Sequence, residues 1–422
     1  MSELVLTTGI TPIKAGDLPP EWRAKQLNDI CTFYQGGRLG LTKQDHYRPS
    51  GFPAFSAAGQ DGFVQVAEFL GTEAVVLSAI GANCGRCFFA SGDWTTLANV
   101  QAIIPNPSEA NARFLHYRID RDSYWPRSGS AQPFIKPSEI RSCWVALPPI
   151  SQQSVIVQVL NMLDTTICET EAIIAKLKAV KQGLLHDLLT CGIDANGELR
   201  PPQSEAPHLY KPSPLGWIPK EWSYALLDEI ATRGSGHTPS KSVPSYWNGG
   251  VKWVSLADSH RLDKIYIKDT DKEISALGIA NSSAVLHPGG TVILSRDAGI
   301  GKSAVLAAEM AVSQHFMTWR CGETLDNLYL YFHLQREKPR FEAIAIGSTI
   351  QTIGLQFFKM YSIQAPPLPE QKMIVAILMN AEGQLTENMS HLSKLNMYKS
   401  ALMDDLLTGR VRVTPLLETA DA

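Results

Sequence analysis

The chain repeats itself. The stretch 148–180 has a counterpart at 366–398, 218 positions later. Pro148-Pro149-Ile150 matches Pro366-Pro367-Leu368, and Gln153, Ile156, Val157 and Leu160 match Gln371, Ile374, Val375 and Leu378. The match closes in Asp187-Leu188-Leu189-Thr190 against Asp405-Leu406-Leu407-Thr408. A second echo lies upstream, where Trp22 followed by Leu27-Asn28-Asp29-Ile30 answers Trp222 followed by Leu227-Asp228-Glu229-Ile230. The order is globular half, helix, globular half, helix. Such a duplication gives approximate two-fold symmetry inside one chain. Two similar but non-identical halves suit a ligand with two similar but non-identical parts.

The repeated helices carry a ladder. Stepping alternately by four and three from Ile156 gives Ile156, Leu160, Leu163, Ile167, Thr170, Ile174, Leu177, Lys181, Leu184 and Leu188. The second copy gives Ile374, Leu378, Ala381, Leu385, Asn388, Leu392, Leu395, Lys399, Leu402 and Leu406. Counting Ala381, eight rungs of ten are apolar in each, which is the seam of a coiled coil. Both ladders are interrupted at equivalent rungs, Thr170 with Asn388 and Lys181 with Lys399, and polar seam residues fix register. At 1.5 Å per residue each helix is roughly 50–60 Å long. The ladders match in length and in polar rungs, so they are expected to pair within the chain rather than between chains. Antiparallel pairing follows, because the second globular half must fit between the end of one helix and the start of the next.

The globular stretches, about 18–149 and 215–367, alternate short β-type runs with Gly and Pro. Strands are expected at Val75-Val76-Leu77-Ser78-Ala79-Ile80, Val100-Gln101-Ala102-Ile103-Ile104, Val251-Lys252-Trp253-Val254 and Thr291-Val292-Ile293-Leu294-Ser295. Helices are expected near 110–118 and 327–336. Both halves read as α+β units with twisted, largely antiparallel sheets. Between them, 192–219 is rich in proline and glycine and reads as a surface-tracking linker.

Composition is that of a folded protein, with 44% hydrophobic and 8% aromatic residues. No apolar run approaches a membrane span, and residues 1–9 lack the pattern of a signal peptide, so the cytoplasm is expected. Seven cysteines without regular spacing fit reduced thiols. A formal net charge of −3 gives no support by itself to nucleic-acid binding. The stretch 113–141 is locally basic, with Arg113, Arg118, Arg121, Arg127, Lys136 and Arg141 against Asp120, Asp122 and Glu139.

No catalytic centre is legible. Gly299-Ile300-Gly301-Lys302-Ser303 resembles the end of a phosphate-binding loop, but Arg296 stands where that loop needs glycine. Cys84-Gly85-Arg86-Cys87 lacks the second pair a structural zinc site requires. The histidines, including His237, His260, His287 and His315, show no metal-binding spacing. No nucleophile elbow, dinucleotide fingerprint or amino-methyltransferase base-flipping loop is present. What remains is a set of polar, glycine-bounded loops in each half. The first offers Gln35, Arg38, Ser56, Gln60, Asn83, Arg86, Arg127, Ser130 and Gln132. The second offers Arg233, His237, Thr238, Lys241, Ser255, Arg296, Lys302, Ser348 and Gln351. Such side chains pair with base edges and phosphates, and glycine lets a loop approach a backbone closely.

These features resemble the specificity subunit of Type I restriction-modification systems, over almost the whole chain. The resemblance is carried by the helix-entry motif Pro-Pro-x-x-x-Gln at 148–153 and 366–371 and by the helix endings Leu188-Leu189-Thr190 and Leu406-Leu407-Thr408-Gly409-Arg410. The openings Leu18-Pro19-Pro20-Glu21-Trp22 and Ile218-Pro219-Lys220-Glu221-Trp222 carry it too. So do Gly236-His237-Thr238-Pro239-Ser240, Tyr246-Trp247-Asn248-Gly249-Gly250 and Trp253-Val254-Ser255. Cys191-Gly192 departs from Gly409-Arg410 at one helix end only.

The resemblance implies an α+β fold with two α/β target recognition domains separated by an intramolecular antiparallel coiled coil. The implied division is domain 1 at 1–149, spacer helix 1 at 150–191, linker 192–214, domain 2 at 215–367, spacer helix 2 at 368–410 and a tail at 411–422. The spacer seam is expected to use Ile156, Leu160, Leu163, Ile167, Ile174, Leu177, Leu184, Ile374, Leu378, Leu385, Leu392, Leu395 and Leu402. Each domain is expected to read half of a split, asymmetric target on double-stranded DNA. The helices are expected to dock two modification (methyltransferase) subunits, which bind S-adenosylmethionine and methylate adenine. Restriction subunits using ATP and Mg2+ complete the implied complex, and this chain holds no cofactor. The competing readings are a non-enzymatic adaptor with duplicated protein-binding domains on a coiled-coil spacer, and a hydrolase or ATPase built around Lys302.

Overall fold

In the computed structural model, which describes residues 5–8, 11–14, 18–129, 131–346 and 351–418, the chain divides into two compact units. The first is Met1–Glu171 with Ser390–Ala422; the second is Ala172–Met389. Each therefore contains part of both long helices, Ile150–Leu188 and Leu368–Thr408.

The first unit is built on a four-stranded antiparallel sheet in the order Cys31–Gln35, Val100–Pro105, Ala74–Ser78, Cys87–Ala90. The strand Ala74–Ser78 is buried on both faces, which suits its uninterrupted apolar run. The helix Ala112–Ile119 lies against this sheet and brings in Phe114 and Leu115, both fully buried. A smaller sheet joins Phe52–Ser56, Gly59–Val64 and Thr95–Thr96. The second unit repeats the plan with a five-stranded sheet, Ala231–Ser235, Phe316–Cys321, Val292–Ser295, Ser303–Leu306 and Tyr266–Ile267. Its helix, Asn327–Ile344, continues past Pro339. Buried Phe341, packed against Phe357 and Tyr361, accounts for helix beyond a residue that usually ends one. The expected strand at 251–254 belongs to a separate sheet, where Trp247–Val254 pairs with Glu273–Ile274, Met310–Val312 and, through the latter, Leu286–His287. Pairing is largely antiparallel, with parallel contacts at Ala54/Thr95, Trp253/Ala311 and Tyr266/Val305.

The helix-entry glutamines explain why the repeat carries them. In the first unit Gln153 Oε1 accepts from the Asn111 N–H at 2.8 Å, and its Nε2 donates to the carbonyls of Glu109 at 3.2 Å and Pro148 at 2.8 Å. In the second, Gln371 Oε1 accepts from the Asp326 N–H at 2.8 Å, and Nε2 donates to Thr324 and Pro366, both at 2.9 Å. Asn111 and Asp326 are the N-caps of the two sheet-packed helices. One fully buried amide thus ties each domain helix to the entry of its long helix, satisfying three backbone groups that would otherwise be orphaned.

The proline-rich stretch after the first long helix is pinned as well. Arg200 forms a two-pronged pair with Glu370 at 2.5 and 3.1 Å. Glu370 also accepts from the Ile193 N–H at 3.0 Å and from Trp222 Nε1 at 3.1 Å. In the first unit Gln152 stands at the position matching Glu370 and donates to Glu21, which pairs with Arg412 of the C-terminal segment.

Within each unit the long helices run antiparallel, and both lysine rungs are paired across them. Lys399 meets Asp164 at 2.5 Å in the first unit, and Lys181 meets Glu382 in the second. Asp164 and Glu382 are themselves repeat equivalents. In the first unit Ile156 and Leu160 share a core with Leu406 and Leu407, and in the second Leu185 and Leu188 share one with Ile374 and Leu378, so in each the start of one helix lies against the end of the other. Thr170 and Asn388 instead bond to carbonyls of their own helices, Thr166 and Gln384. Of the polar rungs, the lysines set register. Ile156, Leu160, Ile174, Ile374, Leu378, Leu385 and Leu395 are buried, while Leu163, Ile167, Leu177, Leu184, Leu392 and Leu402 are half-buried.

Two outcomes are expected. Gln371→Leu leaves one N–H and two carbonyls without partners, so chemical denaturation should report a loss of about 3 kcal/mol. A second test uses His333, buried beside the Tyr361 hydroxyl at 3.1 Å. Burial, reinforced by Arg336 and Arg340, holds its pKa down at about 3. The fold keeps this imidazole neutral, so unfolding takes up a proton below its usual value of 6.5. Stability is therefore lost as pH falls from about 6.5 towards about 3, by about 2 kcal/mol at pH 5. Denaturation at pH 7 and 5 should show His333→Gln losing less stability than the parent.

Candidate nucleic-acid interface

In each main sheet the Gln clamp lies at one end and a group of loops at the other. The loops share a backbone frame. In the first unit Ser78 N–H donates to the Arg86 carbonyl at 2.9 Å and Gly85 N–H to the Ser78 carbonyl at 2.8 Å. Ala79 N–H donates to Asn99 at 3.0 Å, and Ile135 N–H to Ala79 at 3.0 Å. In the second unit Ser295 N–H donates to Lys302 at 2.8 Å and Gly301 N–H to Ser295 at 3.0 Å. Arg296 N–H donates to His315 at 3.0 Å, and Ile353 N–H to Arg296 at 2.9 Å. Ser128 and Phe134 exchange a pair of backbone bonds, as Ile346 and Thr352 do. Ile80 bridges to Phe134, and Asp297 to Thr352. Gly37 N–H donates to Thr96, and His237 N–H to Val312. Gly36 and Gly236 make these crossings possible, because a Cβ on either would strike a backbone carbonyl, of Leu97 or of Val312.

On this shared frame the side chains differ. The second unit holds a polar relay. Thr238 Oγ1 donates to Gln314 Oε1 at 2.6 Å, and Gln314 Nε2 lies 3.4 Å from His315 Nε2. His315 Nδ1 is 2.7 Å from Asp297 Oδ2, and the Thr352 hydroxyl donates to the other carboxylate oxygen. Arg296 bonds to the carbonyls of Gln314 and Ile353, both at 3.4 Å. With Nδ1–H donating to Asp297, the outer ring nitrogen is left as an acceptor. At the matching places the first unit shows Ile80 and Phe134, each 37% exposed, and an exposed Asn99 with φ of 69°. The Arg127 guanidinium covers Gly85 and pairs with Asp122 at 2.9 Å, and Arg86 is exposed beside it.

Several sequence candidates converge on these loops: Asn83, Arg86, Arg127 and Gln132 in the first unit, and His237, Thr238, Arg296 and Gln351 in the second. Gln35 and Arg38 flank the first frame; Arg38 is held by Glu68 at 2.6 Å and lies over the Tyr34 ring. Gln60 is exposed on a neighbouring hairpin and Lys241 on the loop after Thr238. Other candidates are occupied elsewhere. Ser56 is buried and donates to Asp61 at 2.8 Å. Ser255 is buried and caps the short 3-10 helix Leu256–Arg261 through Asp258. Arg233 is held by both oxygens of Asp228 at 2.9 Å. Lys302 turns to Ser259 at 3.1 Å, and the segment after it, Ser303–Leu306, is a strand rather than the helix a phosphate-binding loop requires. Ser130 and Ser348 lie outside the described residues. Sequence reading missed Ile80, Asn99, Phe134, Gln314 and His315. Cys84 and Cys87 are buried free thiols, and no metal-ligand cluster occurs among the described residues.

The long helices also present apolar groups outward. Met162, Val180, Met397 and Tyr398 are between 47% and 71% exposed, and Val180 and Tyr398 are repeat equivalents. No helix among the described residues is long and apolar enough to cross a membrane.

Comparison with known proteins agrees with this architecture. The family model for the Type I restriction modification DNA specificity domain matches twice, at residues 19–179 and 219–394. The chain belongs to this family, whose specificity subunits recognise DNA and are not catalytic. It is 22% identical to the putative MjaX specificity subunit of Methanocaldococcus jannaschii, over 94% of this chain and 95% of that one. It is 26% identical to the MjaIX specificity subunit of the same organism over 181 residues, and spans only 42% of that relative's length. Among solved structures, the S subunit from M. genitalium superposes with a TM-score of 0.59 at 12% identity, covering 92% of this chain and 98% of that one. A chain from a study of complex assembly and conformational transition in a Type I system gives 0.54 at 17% identity, covering 93% and 99%. At these identities the structures speak for the fold.

Proposed function

We propose that this chain reads a bipartite, asymmetric target on double-stranded DNA, each unit reading one half, within a Type I restriction-modification complex. The observation that carries this is the loop frame built twice with different side chains, in a chain of the DNA specificity family. Two weak readers on one molecule multiply their selectivity through effective concentration. The paired helices act as the ruler for the unread spacer. Their outward apolar residues, with Val180 and Tyr398 in equivalent places, suit docking of two like modification subunits. S-adenosylmethionine belongs on those subunits, and ATP and Mg2+ on the restriction subunits. The near-neutral charge fits this division, since partners supply much of the phosphate grip. The complex acts in the cytoplasm.

Sequencing methylated adenines in cells carrying the full system tests the reading. A split motif is expected. A properly assembled complex that enriches no motif from random DNA would instead favour a protein adaptor. Inserting one heptad into each long helix adds about 10 Å and should alter the accepted spacer by about three base pairs with both half-sites kept. Unchanged spacing in the methylated sites would contradict the ruler.

A further inference from the structure

The two loop frames match in backbone and differ in chemistry. Three places are equivalent by hydrogen bonding: Ile80 with Asp297, Asn99 with His315, and Phe134 with Thr352. At all three the frame uses backbone groups. Side chains there can change without breaking it, as the two units demonstrate.

We propose that these positions, with Gln314 beside His315, set which bases each unit accepts, and that the two units read by opposite chemistry. The inference rests on the DNA-reading function proposed above. In the first unit Ile80 and Phe134 are neighbours across a bridge, each 37% exposed, and exposed Arg86 belongs to the same loop group through its backbone bond with Ser78. An exposed apolar pair with a cation in its loop group matches the thymine 5-methyl group, the apolar mark of the major groove, and a phosphate. In the second unit the matching positions hold Asp297 and Thr352. Exposed Gln314 still has an N–H and an oxygen lone pair to offer beyond its bonds to Thr238 and His315. A donor and an acceptor side by side match N7 and the N6 amino group of adenine. Thr352 holds the Asp297 carboxylate, Asp297 holds the imidazole, and the imidazole holds the amide, so His315 is a positioning residue and Gln314 the reader.

The test uses the full complex with its modification subunits on the target that the parent protein methylates. Replacing thymines of each half-site singly by uracil removes the methyl group and needs no altered protein. One uracil in the first unit's half-site should weaken binding about tenfold, and Phe134→Ala should erase that difference. Single 7-deazaadenine replacements in the other half-site should do the same, with Gln314→Ala erasing the difference. His315→Ala should relax selectivity at the same position, whereas His315→Gln should partly restore it. Half-sites indifferent to every uracil and 7-deazaadenine replacement would overturn the inference, even with the split motif intact. So would Phe134→Ala or Gln314→Ala complexes that discriminate as the parent does. Absence of any split motif in the parent's methylation would instead remove the function on which the inference stands.

Discussion

The register of the two long helices is the constraint on which the remaining architecture depends. Apolar rungs supply the attraction, but a ladder of leucines and isoleucines would tolerate a slip of one heptad. The lysine rungs do not. A slip would separate Lys181 from Glu382 and Lys399 from Asp164, stranding partly buried charges, of which Asp164 keeps a second ion pair, with Arg113. Pairs with side chains about a fifth to a quarter exposed contribute little net stability. Their effect is to make every other register worse. Because the acids and lysines are all repeat equivalents, one duplicated pairing rule fixes both units.

From that register the position of each domain helix follows through a single buried amide. Gln153 and Gln371 sit one turn into their helices and bind the cap residue of the helix packed on the adjacent sheet. The sheet ends nearest the long helices are thereby specified closely, while the opposite ends close on a shared set of backbone hydrogen bonds, to which the second unit adds side-chain bonds from Arg296 and Thr352. The clamp and the sheet place the loop backbones in both units.

This division explains what was legible in the sequence. The helices, their pairing and their polar rungs were visible because heptad spacing and duplication both survive in residue identities. Gln153 and Gln371 stood out as repeated letters, though their partners could be known only from the fold. Loop candidates were chosen by residue type, and type alone cannot separate Thr238, joined to the relay, from Ser56 and Ser255, buried in local turns. Ile80 and Phe134 were passed over because apolar residues near strands read as core. Gln314 and His315 were passed over because their value comes from Asp297 and Thr352, distant in sequence. The frame equivalences also drift, from 200 positions at Gly37 and His237 to 218 at Phe134 and Thr352. A fixed-offset comparison of the halves therefore cannot find them.

The same drift shows what the duplication has retained. Matched hydrogen bonds connect Ala79 to Asn99 and Arg296 to His315 although no residue in these pairs is shared. A bond made by a peptide group is indifferent to the side chain it carries, provided the residue accepts the local φ and ψ. Asn99, at φ of 69°, satisfies that condition as a residue type tolerant of the left-handed region. Folding and reading are thus assigned to different atoms of the same residues. On the proposed function, a new half-site requires new side chains on an unchanged frame. At the exposed positions Ile80, Asn99, Phe134 and Gln314 the cost to stability is that of a surface substitution, usually within about 0.5 kcal/mol, whereas buried Asp297 changes only together with its partners His315 and Thr352. A reader built from buried interlocking side chains could not change so cheaply, because each altered contact would also be a packing defect. Two halves with common ancestry and unlike surfaces are what such a separation produces.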